Sequence, residues 1–118
     1  MALGNEFLIK QNDTLPVLQV CLFGKGNLGQ REMMSLAGAT GVTFSMVDNC
    51  GDYAVMSQTA QITNISAGTI QYSWSAADTS EAGTYKGEFE ITYTGGGKMS
   101  IPQVGGISIR IAEDINPY

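Results

Sequence analysis

The chain has 118 residues, 43% of them hydrophobic and 14% charged, which reads as one globular domain spanning 1–118 that buries a core without needing a metal or a disulfide. Eleven acidic residues against six basic ones give a net charge of -5; this excludes nucleic acid as a partner for want of a basic patch, and no apolar run reaches the roughly 20 residues of a membrane span. The absence of histidine removes Ser-His and Cys-His nucleophile pairs and His-containing zinc sites, and two isolated cysteines, Cys21 and Cys50, do not hold a structural zinc.

The opening residues lack the basic-then-apolar order of a signal peptide, so folding in a cytoplasm is expected. Phe7 to Lys10 and Leu18 to Leu22 are predicted strands, joined through the turn at Gln11, Asn12, Asp13 and Thr14, with Pro16 at a strand entrance where its missing N–H costs little. If Leu18, Val20 and Leu22 face inward, alternation turns Cys21 the other way. A Cys21–Cys50 bridge and two free thiols both remain open, and a reducing cytoplasm favours the thiols.

Next comes Gly24-Lys25-Gly26-Asn27-Leu28-Gly29, a literal G-x-G-x-x-G, followed by residues 30–37, which suit a helix of about two turns. A dinucleotide-binding unit needs a crossover of at least about 10–12 residues and a second helix, and nothing after Asp48 has a 3.6-residue period. The glycine-rich stretch is therefore expected to be a flexible or short-helical connection between two strands.

From Val42 onward the dominant signal is strict alternation. Val42, Phe44 and Met46 oppose Thr43 and Ser45; Ile70, Tyr72 and Trp74 oppose Gln71, Ser73 and Ser75. Tyr85, Gly87, Phe89, Ile91 and Tyr93 oppose Lys86, Glu88, Glu90, Thr92 and Thr94, and Ile107, Ile109 and Ile111 close the set. Period two sustained this often predicts antiparallel sheet with one wet face. Asp48 and Asp52 bracket a turn without the ligand spacing of a calcium loop; 64–68, 78–83 and the glycines of 94–98 supply further turns. About seven or eight short strands punctuated in this way predict an all-β fold, an antiparallel β-sandwich.

No catalytic, cofactor-binding or metal site is predicted. Glu88 and Glu90 read as a solvated strand face that also discourages edge-to-edge pairing. The Asn12 and Asn64 glycosylation patterns are chance matches without a secretion signal. Tyr53, Tyr118, Met33 and Met34 lie in or beside predicted loops and are candidates for a docking surface, since Met and Tyr are favoured at interfaces.

Ile70-Gln71-Tyr72-Ser73-Trp74, Asp78-Thr79-Ser80-Glu81-Ala82-Gly83-Thr84-Tyr85 and Gly87-Glu88-Phe89-Glu90-Ile91-Thr92-Tyr93 form an ordered string. It resembles the N-terminal immunoglobulin-like domain of bacteriophage baseplate upper proteins. Gly97-Lys98, Ile101-Pro102 and the strand at 107–111 are similar to that family's later hairpin, proline segment and final strand. Residues 7–16 and 36–44 are similar to its opening and its Gly-Ala-bearing stretch.

The resemblance implies an immunoglobulin-like sandwich and a tyrosine corner at Tyr85. Gly87 stands where an immunoglobulin domain carries its second cysteine, and Trp74 is expected to fill the space beside it. The implied role is non-enzymatic docking, in many copies and with self-association open, on virion proteins made and assembled in the bacterial host cytoplasm. The expected partners are the major capsid protein, as a capsid decoration (cement) protein, or tail and baseplate proteins, as an adaptor. A carbohydrate-binding attachment module using exposed Tyr and Trp is the reading from another class. The connection at 23–38 departs furthest from the family pattern, which makes Lys25, Asn27, Met33 and Met34, with Tyr53, the candidate partner contacts.

Overall fold

The computed structural model describes residues 6–25, 31–33, 35–102 and 105–115, with the backbone alone at 23–25 and 31–33. Its strands are β1 (Phe7–Lys10), β2 (Leu18–Cys21), β3 (Phe23–Lys25), β4 (Arg31–Met33), β5 (Ala39–Asp48), β6 (Tyr53–Thr59), β7 (Gln61–Asn64), β8 (Thr69–Tyr72), β9 (Gly83–Tyr93), β10 (Lys98–Ile101) and β11 (Ile107–Ala112). Nine of them build a sandwich. One sheet runs β1-β11-β9-β5-β6, with β10 also on β9; the other runs β2-β8-β7; β3 and β4 pair only with each other.

The alternating runs become strands because one side of each is apolar. In β5, Val42, Phe44 and Met46 are buried while Thr43 and Ser45 are half-exposed; in β9, Tyr85, Gly87, Phe89 and Ile91 are buried against exposed Lys86 and Glu88. These two longest strands pair from Ala39↔Tyr93 to Asp48↔Tyr85, the span of β5, and form the spine of the larger sheet. The smaller sheet closes over them. The Phe44 and Tyr72 rings lie 4.7 Å apart across the gap, and Trp74 meets Phe44 edge-on at 5.7 Å and stacks on Phe7 at 5.8 Å. Such aromatic pairs add about 0.5–1.5 kcal/mol beyond the area they bury.

The expected turns form. Tyr85 Oη donates to the Glu81 carbonyl at 2.8 Å, the tyrosine corner. Thr79, fully buried, donates from Oγ1 to the Asp13 carbonyl at 2.8 Å and so ties the 75–80 loop to the turn after β1. Asp48 Oδ1 accepts from the amides of Cys50 and Asp52, a self-capped turn. At the β9–β10 hairpin Gly95 and Gly96 adopt φ of +89° and +92°, which side-chain-bearing residues rarely do. Cys21 and Cys50 are both exposed free thiols, and Cys21 does face away from buried Leu18 and Leu22.

Five expectations need correction. The sheet is not antiparallel throughout: β1 runs parallel to β11, Phe7 opposite Ile109 and Lys10 opposite Ala112. The two strands sit at opposite ends of the chain, so no hairpin constrains their direction. Among the described residues the sandwich has nine strands rather than about seven or eight, residues 53–64 contributing two that carry no alternation. Residues 31–33 are a strand rather than part of a helix, paired Phe23↔Met33 and Lys25↔Arg31. The row Lys86, Glu88, Glu90 guards no edge, since β9 lies in the interior of its sheet. Finally, the space beside Gly87 is filled by Phe44 and Ile109, not by Trp74: a Cβ built there would lie 2.7 Å from Ile109 Cδ1 and 2.8 Å from Phe44 Cζ.

Candidate functional site

The β3–β4 hairpin carries the G-x-G-x-x-G. It springs from the end of the sandwich at which Leu22 donates its amide to Gly68 O and Leu36 donates to Ile65 O. That is also the end where Ala39 faces Tyr93 and where Thr94 donates its amide to Gly38 O. The hairpin joins neither sheet. Strands of three residues, one of them with a central glycine, make an isolated two-stranded ribbon that is marginal in water by itself.

Lys25 and Met33 lie on the two strands of this hairpin, in the first and last of its three register pairs. Asn27 and Met34 lie outside the described residues, as does Tyr118. The arrangement of a phosphate cradle is absent from the described part: β3 feeds a hairpin and no helix follows it.

Tyr53 is elsewhere. It opens β6 and pairs with Val47, one residue from the Asp48↔Tyr85 end of the spine. Between Ala39 and Asp48, β5 spans ten residues, which at the rise of a strand is about 30 Å. The structure therefore does not bring Tyr53 together with Lys25 and Met33; it places Tyr53 and the hairpin strands at opposite ends of one sandwich.

Around Tyr53 the surface is shaped. The ring is 56% exposed, which makes it a ridge between two shallow depressions. One, of about 250 Å³, is lined by Ser45, Val47, Lys86, Gly87 and Glu88 and by the glycines 105 and 106. The other, of about 210 Å³, is lined by Ala54, Ala77, Asp78, Ser80 and Glu81. The first lies on the wet face of the larger sheet, where the register sets Tyr53, Val47, Lys86 and Ser108 in one row across four strands. Lys86 Nζ reaches along that row to donate to Ser108 Oγ at 3.1 Å. Sequence pattern did not give this row, because it depends on register between four strands rather than on any one of them.

Electrostatics at this end centre on Asp78. Its Oδ2 accepts from Tyr72 Oη at 2.6 Å and from the Ser75 amide at 2.9 Å. Burial, then the Asp78 hydrogen bond and charge, hold the Tyr72 phenol well above its ordinary value of 10.0. Tyr85 is raised too, by burial first and then by Glu81 and Asp48. The two phenols stay neutral and structural. Among the described residues no three His, Cys, Asp or Glu side chains gather as metal ligands. Glu88 and Glu90 fan out from the same strand about 7 Å apart, the spacing of alternate strand positions. An open sheet face with one aromatic ridge is suited to surface contact. Trp74, at 5% exposure, offers no platform to a sugar.

No protein-family model matches the chain. No curated protein matches it. Among solved structures, the crystal structure of CopC from Methylosinus trichosporium OB3b is similar over 96% of this chain and 89% of that one, with a TM-score of 0.53 and 11% sequence identity. At that identity the likeness bears on the fold alone, and it agrees with the β-sandwich described above.

Proposed function

We propose that this chain is a non-enzymatic structural protein of a bacteriophage virion, docking on other virion proteins as a capsid decoration protein. The observation that carries the reading is the two-ended layout. A ribbon outside both sheets at one end and an exposed tyrosine ridge at the other are separated by the length of β5. A small domain with contact elements about 30 Å apart is shaped to span a junction between two neighbours. The motif order through Trp74, Asp78 and Tyr85 supports the virion context, with Asp78 and Tyr85 making the bonds that such a string requires. The same string favours, as second reading, an adaptor on tail or baseplate proteins, which would use the same two ends.

The test is binding of the purified protein to shells assembled from the major capsid protein of a phage from the same source. Deletion of residues 25–28 and Tyr53→Ala are each expected to weaken binding by about tenfold or more, as loss of an interface anchor does. Full binding by both variants contradicts the two-ended reading. Binding to isolated tails and not to shells replaces decoration by the adaptor.

A further inference from the structure

Between Asp52 and Asp78 the chain has no charged residue, although it carries a net charge of -5. That stretch contains β6, β7 and β8. β6 ends the order of the larger sheet and β7 ends that of the smaller one, with only Ala60 between them. Ala60 donates its amide inward to Val42 O, so the chain passes from one sheet to the other without leaving the same flank of the sandwich. The result is the longest open edge among the described residues. Tyr53, Ala54, Met56, Ser57, Gln58, Thr59, Gln61, Thr63 and Asn64 are exposed along it.

The other edges are protected in the usual ways. β1 carries Lys10 and follows Glu6; β10 begins at Lys98 and is followed by Pro102; β2 has four residues and follows Pro16. Along 53–64 there is neither charge nor proline. The register of this run is irregular at three places, opposite Phe44/Met46 and Met46/Val47 in β6 and between Ile62 and Asn64 in β7, and Ser57, at φ +48°, bonds its amide to Ser45 Oγ.

We propose that this edge is where a second copy of the chain pairs, antiparallel and across a two-fold axis. Two observations select the occupant. A copy necessarily presents the same row of unpaired N–H and C=O groups, so the contact is self-complementary, as an isologous interface must be. Two molecules of equal negative charge also meet here along a run, 53–64, that itself carries no charge, the nearest acids, Asp52, Asp78 and Glu81, lying at its Tyr53 end. A basic partner would instead be drawn to the acids elsewhere on the surface. Met56, 59% exposed near the middle of the edge, becomes buried by the contact. The inference is independent of the virion reading, and its test uses the isolated protein.

The test is sedimentation equilibrium of the full chain from about 1 to 300 µM, a span that covers weak to moderate dimers. The average mass is expected to rise from 12.5 kDa towards twice that value. Met56→Lys with Gln61→Lys is expected to weaken association at least about tenfold. It does so although it lowers the net charge from -5 to -3, that is -5 + 2, which taken alone would ease repulsion. Leu8→Lys with Leu15→Lys makes the same charge change at exposed positions off the edge and should leave the dimer intact. Amide exchange in the unmodified protein adds a readout that needs no variant: protection at 53–64, and not in β1, should rise with concentration. A monomer throughout the range, a dimer that survives the edge lysines, equal dissociation by both lysine pairs, or exchange at 53–64 that ignores concentration overturns the proposal.

Discussion

Gly87→Ala tests how tightly the two sheets close. Gly87 pairs with Met46 on one side and Ile107 on the other, and from the diagonals Phe44 and Ile109 lean over it. An added Cβ would stand 2.7 Å from Ile109 Cδ1 and 2.8 and 2.9 Å from two carbons of the Phe44 ring, all inside ordinary contact. Phe44 is fully buried and held by Tyr72, Trp74 and Phe89, so the ring has nowhere to go. Overpacking of this kind costs about 1–3 kcal/mol, against about 0.5–1 kcal/mol regained by removing a glycine from a strand. The net loss is about 1–2 kcal/mol, or a fall of about 3–10 °C in Tm for a chain of this size. Urea and thermal melts followed by circular dichroism measure it. Ile109→Val removes the nearest atom. Alone it should cost about 0.5–1.5 kcal/mol. In the Gly87→Ala background it should cost at least about 0.5 kcal/mol less, the coupling expected of touching residues. An unchanged or raised Tm for Gly87→Ala, or strict additivity, refutes the packing described.

Trp74→Ala should cost about 3–5 kcal/mol, because the indole is buried among Phe7, Phe44 and Tyr72; a urea melt showing less than about 1 kcal/mol would contradict that. Its Nε1 has no hydrogen-bond partner among the described residues, so the loss is one of packing alone. Tyr85→Phe removes the bond to Glu81 O while keeping the ring, and should lower stability by about 1 kcal/mol in the same assay. Alkaline stability follows from Tyr72. Its phenol is raised in the folded state, so its contribution is complete below the ordinary value of 10.0 and declines as pH rises past it. The urea midpoint should fall between about pH 9 and pH 11, and less steeply in Tyr72→Phe; equal slopes reject the assignment. Deleting residues 25–28 should leave the melt of the sandwich within about 1 kcal/mol, because the hairpin belongs to neither sheet. NAD or ATP should not shift Tm in the intact protein, and a clear shift would restore the nucleotide reading of the glycine run.

The central strands were legible because each has one wet and one dry face. Phe44 against Ser45, or Phe89 against Glu88, announces which side is core. Residues 53–64 gave no such signal: at an edge both sides meet water, and only Val55 of β6 is buried. The hairpin was hidden for a different reason. Strands of three residues are shorter than any periodicity that can be counted, and Gly24 to Gly29 spell a motif from another fold. The parallel pairing of β1 with β11 and the Phe44–Ile109 closure over Gly87 are matters of register between distant segments, on which composition is silent. Of the candidate contacts, Tyr53 was legible as a loop-side aromatic, while its distance from the hairpin was not. Tyr53 lies at one end, and Lys25 and Met33 lie on the hairpin strands at the other.

The most direct measurement of the proposed virion role is electron microscopy of phage particles recovered from the source of the chain, with the chain's presence checked by mass spectrometry. The account predicts density of this size in many copies on the capsid, each touching shell subunits at both the hairpin end and the Tyr53 end. Virions that lack the protein altogether would contradict it.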